Sequence, residues 1–444
     1  MEDNIYEKKS VNCLILYFSV PAVLSLIVEI MASVVDTAFA GHLGSISIDA
    51  LTVMGLLTPV LNLFTAVQSL FAVSTSVYIA KYLNNKIKRD EYFVSGIIMT
   101  LILSCVISTI CYFGMNHILN LLNAKAQVYA LAKKYLKIQL ISNIFSSLGY
   151  TLTSIIRAFG FPKTEVLITT LAVVVNIVSN ALFAFGLHFD FTGLAIGTLV
   201  SEVFCALYAY IWIRKHKLLP ESLHISLHNF KDCTKKLFKL GIVQTVIQAM
   251  GGCTGFFVNS SLMMNFDRCY VAIWNVISNI YTLFLMPVVG ITQSVQTIIA
   301  YFSGQNKQKE RNKTIRSTIF ATLFYGIVST IAIFVFGNLI LTIFIKDTGL
   351  LAIAEDVIKI IFITFSLTGI FYTIMTLLEI TEYETKAVIM ILTRQVFLMI
   401  PLVYILPVIR PDVSMSIFLS VPIADIFSLC ISLQLVKKIK QSKW

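Results

Sequence analysis

Four carboxylates lie inside long apolar stretches of this chain: Glu29, Asp36, Glu202 and Asp425. An ionised carboxylate in hydrocarbon costs at least about 2.5–3.5 kcal/mol, so such groups face a bundle interior and usually work there. Glu29 and Asp36 are seven residues apart, two helical turns, and share a face if their stretch is helical. Asn176 and Asn180 pair by i,i+4 spacing, as do Thr198 and Glu202. An acid beside amides and a hydroxyl can hold a proton or coordinate a desolvated cation through oxygens. Either chemistry serves an ion-coupled carrier. The competing reading is that the amides and hydroxyl only glue helices together, and that Glu202 or Asp425 lies near an interface or pairs with Arg394. Asn259, Asn275, Asn279, Gln293 and Gln296 are polar without charge. They suit a substrate wall better than a proton relay, or simple packing.

These residues need helices that cross a membrane. The chain has 444 residues, 57% hydrophobic and only 13% charged, with a mean hydropathy of +0.84. A soluble domain carries about 25% charged residues. The expectation is an all-α polytopic membrane protein with twelve transmembrane helices. About 20 apolar residues cross the hydrocarbon, and the stretches that meet this test lie near 11–40, 47–80, 92–115, 128–156, 164–187, 191–213, 238–265, 270–301, 317–345, 357–379, 386–408 and 413–436. The first is too long for a signal-peptide core and is expected to stay as a spanning helix. The net charge of +11 does not indicate nucleic acid, because Lys and Arg sit in short connections. They concentrate in alternate ones, such as Lys81 to Arg89, Arg214 to Lys239, Lys307 to Arg316 and Lys437 to Lys443. That asymmetry predicts a multi-pass protein of the cell membrane with both termini cytoplasmic.

A shift of the chain against itself by 220 residues superposes apolar runs and basic loops, with Phe18 on Phe238. Two six-helix lobes follow, 1–213 and 238–444, joined by a basic amphipathic linker at 214–237 on the cytoplasmic face. Six helices per half is even, so the lobes are parallel repeats about a pseudo-twofold axis along the membrane normal, with a cavity between them. Pro21 falls inside the first run and is a candidate bending point. The eight cysteines form no CxxC pair, and His224 with His228 has no acidic or Cys partner at ligand spacing, so no metal site or other cofactor is expected.

The stretch Pro21 to Gly44, ending VDTAFAGHLG, resembles the first helix of the multidrug and toxic compound extrusion (MATE) family. Met286 to Ile315, MPVVGITQSVQTIIAYFSGQNKQKERNKTI, resembles its eighth helix and following loop. Arg394 to Pro407, RQVFLMIPLVYILP, resembles its eleventh. RAFGFPK and VPIADIFS add weaker matches, and the likeness spans the whole chain. The resemblance implies a secondary antiporter of amphiphilic, often cationic, drugs and toxic compounds, driven by H+ or Na+, with membrane lipids around a monomer. It implies cation coupling at Asp36, with Asn176 and Thr198 matching two partners of an amino-lobe cation site, Asn180 standing where such members have Asp, and Pro21 where the helix bends. Glu29 and Glu202 stand where bacterial relatives often carry Gln, and together with Asp425 are candidate cavity acids. The seventh helix lacks the acid that another branch uses there, which favours coupling in the first lobe.

Three other readings compete. A major-facilitator carrier also has twelve helices, but KYLNNKIKRDEYF lacks the Gly-x-x-x-Asp-Arg-x-Gly-Arg-Arg type of motif expected between helices 2 and 3. A flippase for lipid-linked saccharides would want a basic cavity, whereas the intramembrane charge here is mainly acidic. A membrane-embedded enzyme would want a recognisable catalytic motif, and the chain has no HExxH or GxSxG.

Overall fold

The computed structural model describes residues 5–122, 126–221, 226–265, 268–342, 348–381, 383–409 and 415–443. The helices are α1 (Ile5–Lys8), α2 (Val11–Gly41), α3 (Ser47–Lys81), α4 (Lys86–Phe113), α5 (Met115–Leu121), α6 (Ala126–Ala158), α7 (Pro162–Asn180), α8 (Asp190–Lys215), α9 (Leu227–Asn265) and α10 (Arg268–Gly304). After them come α11 (Gln308–Thr342), α12 (Thr348–Phe362), α13 (Phe365–Ile380), α14 (Glu384–Leu392), α15 (Ile400–Ile409) and α16 (Ser420–Lys443). Local chemistry sets several ends. Asn85 caps α4 by accepting from the Lys88 amide at 3.2 Å, and Pro162 opens α7, where its missing amide costs nothing.

Ten helical spans among the described residues are long and apolar enough to cross a membrane. α6 and α9 have 33 and 39 residues and are long enough too, but Lys133, Lys134 and Lys137 in α6 and the basic start of α9 lower their hydropathy. The sequence places a linker up to residue 237, whereas α9 already begins at Leu227. Cys233, Leu237 and Leu240 are buried at helical spacing there, so the amphipathic stretch folds straight into the helix.

The burial pattern is that of a protein in lipid. On α11, Phe320, Phe324, Ile331, Val335 and Leu339 are exposed, while Thr314, Thr318, Thr322, Gly326 and Ser329 are buried. The buried hydroxyls are satisfied within the helix, Thr318 donating to the Thr314 carbonyl at 2.8 Å and Thr322 to that of Thr318 at 3.0 Å. Small polar residues inside and large apolar ones outside is the arrangement a bilayer selects and water forbids. The chain is a multi-pass membrane protein.

Two compact units form, Met1–Thr245 with Ala300–Lys307, and Val246–Ile299 with Gln308–Trp444. The first is packed around Leu57, Phe64, Leu119, Tyr135, Leu136 and Phe191. The second is packed around Ile277, Phe362, Phe365 and Phe418, with Trp274, Tyr281 and Phe284 against them.

Candidate functional site

In the first unit, α2, α7 and α8 bring together four of the residues picked out by spacing. Ser25 on α2 and Thr169 on α7 share a 2.9 Å hydrogen bond that registers the two helices. Three turns further along α2, Asn180 Nδ2 donates to Asp36 Oδ1 at 2.6 Å and to Asn176 Oδ1 at 3.2 Å. Asn176 Nδ2 in turn donates to Thr198 Oγ1 at 3.5 Å, and Thr198 donates to the Leu194 carbonyl at 3.0 Å. Donation thus diverges from Asn180 on α7, one arm to the Asp36 carboxylate on α2 and the other through Asn176 to Thr198 and the Leu194 carbonyl on α8. Asn180 is fully buried, and its Oδ1 has no hydrogen-bond partner among the described residues. That oxygen lies over Gly197, where a Cβ would stand 2.0 Å from it. A glycine at this point of α8 is what lets the amide fit.

α7 does not continue as a regular helix past this point. Ala181–Gly186 is π-helical, a single wide turn of the kind found at functional positions. Pro21 lies inside α2 without ending it; it removes the amide that would bond the Tyr17 carbonyl and is where α2 can bend.

Glu29 is exposed on α2, and Glu202, Glu165 and Arg157 lie within electrostatic reach of it. Its side chain is therefore turned toward α6, α7 and α8. Glu202 is half-buried and accepts from Ser146 on α6. Glu29 and Glu202 thus form a second acidic group in the first unit, apart from Asp36.

The second unit holds the remaining residues, and they are dispersed. Asp425 is buried and fully engaged: Oδ1 accepts from Arg394 Nε at 2.8 Å and its terminal nitrogen at 2.7 Å, and Oδ2 accepts from Thr364 at 2.9 Å. Of the readings open for it, the pairing with Arg394 is the one the structure shows. The guanidinium stands 5.6 Å from the Phe371 ring centroid. Arg394 lies in another π-helical segment, Thr393–Met399, and Thr364 lies at the break between α12 and α13. Of the proposed polar wall, Asn275 and Asn279 are exposed, Asn259 and Gln293 are half-buried, and Gln296 is buried and donates to Glu379. Among the described residues, Asn259 Oδ1 has no hydrogen-bond partner.

Several residues escaped the sequence reading. Tyr135 on α6 is within electrostatic reach of Asp36 and is held by Gln139 and by stacking on Phe191, centroids 4.7 Å apart. A phenol and an amide four residues apart were the available signal. The buried Arg157–Glu165 pair, 3.1 Å apart, and Glu379 stand near helix ends, where charge is ordinary. His228 opens α9 and His224 lies outside the described residues; among the described residues no group of three His, Cys, Asp or Glu side chains is placed to hold a metal.

The MatE family model matches residues 21–182 and 246–405, well over half of the chain and including Asp36, Asn176 and Asn180. The chain belongs to the MatE family. Among curated proteins it is similar to the multidrug export protein MepA of Staphylococcus saprophyticus, 24% identical over 404 residues, covering 90% of this chain and 88% of that protein. Among solved structures, the outward-facing conformation of a multidrug resistance MATE family transporter of the MOP superfamily superposes with a TM-score of 0.90 at 18% identity, covering 100% of this chain and 99% of the other. A mutant of the Vibrio cholerae MATE transporter VcmN superposes equally well, with a TM-score of 0.90 at 16% identity over 98% of both chains. The fold of this MatE chain is therefore that of the MATE transporters, twelve transmembrane helices in two lobes.

Proposed function

We propose that this MatE chain is a cation-coupled secondary antiporter that exports amphiphilic, often cationic, drugs and toxic compounds across the cell membrane, as a monomer with both termini cytoplasmic. Relatives named as multidrug export proteins support the substrate class. The observation that carries the mechanism is the Asp36 carboxylate, within the membrane-spanning helix α2 and gripped by Asn180 from a neighbouring helix at 2.6 Å. A cation arriving at Asp36 competes with that grip, and α2 then rearranges about Pro21. Exchange requires that the cation bind one conformation more tightly than the other, since equal affinity shifts nothing.

The coupling cation is a proton or sodium, and the donor directions favour the proton. A desolvated metal cation needs several convergent oxygens. Here Asp36 Oδ1, Asn176 Oδ1 and Thr198 Oγ1 each accept from an amide N–H, and Asn180 turns its Nδ2 rather than its Oδ1 to Asp36. Glu29 and Glu202 supply acidic partners for a cationic substrate.

The runner-up, a flippase for lipid-linked saccharides, needs cationic groups for phosphate. The three buried arginines of the described residues, Arg89, Arg157 and Arg394, are each paired with a carboxylate at 2.8, 3.1 and 2.7 Å, which argues against it.

The test is Asp36→Asn in an efflux-deficient host, together with counterflow of a fluorescent cation in proteoliposomes under separate pH and sodium gradients. Loss of drug resistance and of gradient-driven counterflow at normal protein level is expected. Wild-type resistance in the variant would remove Asp36 from the mechanism.

A further inference from the structure

The one-turn helix α1 is held firmly by its surroundings. Tyr6 is only 1% exposed. Its ring stacks on Tyr301, centroids 4.5 Å apart at 16°, and against Phe18 at 5.3 Å. Its hydroxyl donates to the Ala158 carbonyl, the last of α6, at 2.9 Å. Glu7 Oε1 accepts from the Tyr301 hydroxyl at 3.0 Å and from Lys307 Nζ at 2.8 Å. Ile5 fits over Gly160 in the turn between α6 and α7, where φ is +98° and a Cβ would stand 2.7 Å from Ile5 Cγ2. One turn of helix thus joins the α6–α7 turn to the closing turn of α10, both within the first unit. Only Lys9 and Ser10 separate it from α2, the helix that carries Pro21 and Asp36.

We propose that α1 is a releasable strap: it clasps the closing turn of α10 to the α6–α7 turn in the conformation described here, and it must let go for the carrier to change the side on which it opens. The proposal rests on the antiport reading. The contacts suit a reversible clasp, because they combine one buried aromatic with a polar rim. Aromatic pairs add modestly beyond their buried area, and the Glu7–Lys307 pair is half-exposed on both sides, where ion pairs add little. Movement of α2 about Pro21 is transmitted to the strap through two residues of chain.

The structure offers a direct lock. Ile5 Cβ lies 3.9 Å from where a Cβ at residue 160 would be, inside the roughly 3.5–4.5 Å that a disulfide spans. In purified full-length protein carrying Ile5→Cys with Gly160→Cys, oxidation is expected to slow counterflow of a fluorescent cation by at least about tenfold. Dithiothreitol should restore it, and neither single variant should respond. Oxidised double variant that transports as fast as reduced would overturn the strap. If the reduced form moves no cation under any gradient, it is the antiport reading that fails. Because a cysteine at the positive φ of residue 160 is strained, Tyr6→Ala supplies a second measurement. Hydrogen–deuterium exchange should quicken by about tenfold in the peptides spanning 155–161 and 299–304 and stay unchanged in the middle of α3, a local opening of the kind exchange resolves. Unchanged exchange in both peptides would equally overturn the proposal.

Discussion

Replacing Asn180 by Asp tests the donor chain at its most sensitive link. The substitution is isosteric, so packing over Gly197 is retained while the donor facing Asp36 becomes a second carboxylate. The 2.6 Å bond from Asn180 Nδ2 to Asp36 Oδ1 is lost, and a hydrogen bond to a charged group contributes about 1.5–3 kcal/mol. Two carboxylates with charge centres about 4 Å apart add repulsion on the order of 4 kcal/mol at an effective dielectric of 20. The variant should be clearly less thermostable than wild type in sodium-free choline chloride. A sodium ion between the two carboxylates relieves the repulsion, and at a hundred times its dissociation constant a bound ligand returns about 2.7 kcal/mol. The assay is thermal unfolding of the purified protein across a sodium titration at constant ionic strength, which requires no transport. Wild type should be flat and Asn180→Asp should climb with sodium. A variant as stable as wild type and indifferent to sodium would refute the reasoning, because it would mean that Asn180 does not face Asp36. A wild type that itself gains stability with sodium would refute the preference for the proton.

Further outcomes follow from the same geometry. Gly197→Ala places a methyl 2.0 Å from Asn180 Oδ1 and should cost coupling in the counterflow assay, whereas Gly55→Ala, with nothing within 4 Å, should match wild type. Arg394→Ala leaves Asp425 buried without its guanidinium and should destabilise by about 3–5 kcal/mol, while Arg394→Met with Asp425→Leu should recover most of that in the same melt. The hydrogen bond from Lys307, then that from Tyr301, holds the Glu7 carboxyl below its ordinary value of 4.5. Because the folded value is the lower one, Glu7's contribution is complete above 4.5 and is lost as the pH falls through the depressed value. Amide exchange at 299–304 should therefore quicken on acidification in wild type, and much less so in Glu7→Gln.

Most of the class was legible from the chain alone, because a helix that crosses a bilayer must be built of about 20 apolar residues wherever it lies. The in-membrane acids were legible for the same local reason, the cost of burying charge. Spacing correctly joined Asn176 to Asn180 on α7, since one helix fixes its own faces. It left open whether Asp425 pairs with Arg394, because the sequence shows a carboxylate and an arginine 31 positions apart without showing that they meet. It also passed over Tyr135, whose relation to Asp36 exists only in the folded bundle.

The sequence by itself thus determined which segments span the membrane, which of their residues are anomalous there, and which lie on one face of one helix. Only the tertiary structure decided which faces meet. Asn180 reaches Asp36 across 144 positions and Lys307 reaches Glu7 across 300. The physical reason is that a helix's period orients its side chains about its own axis, whereas its rotation and depth against a neighbour are set by close contacts. Gly197 beneath Asn180 is one of these, and Gly160 beneath Ile5 is another; neither carries any chemical mark in the sequence.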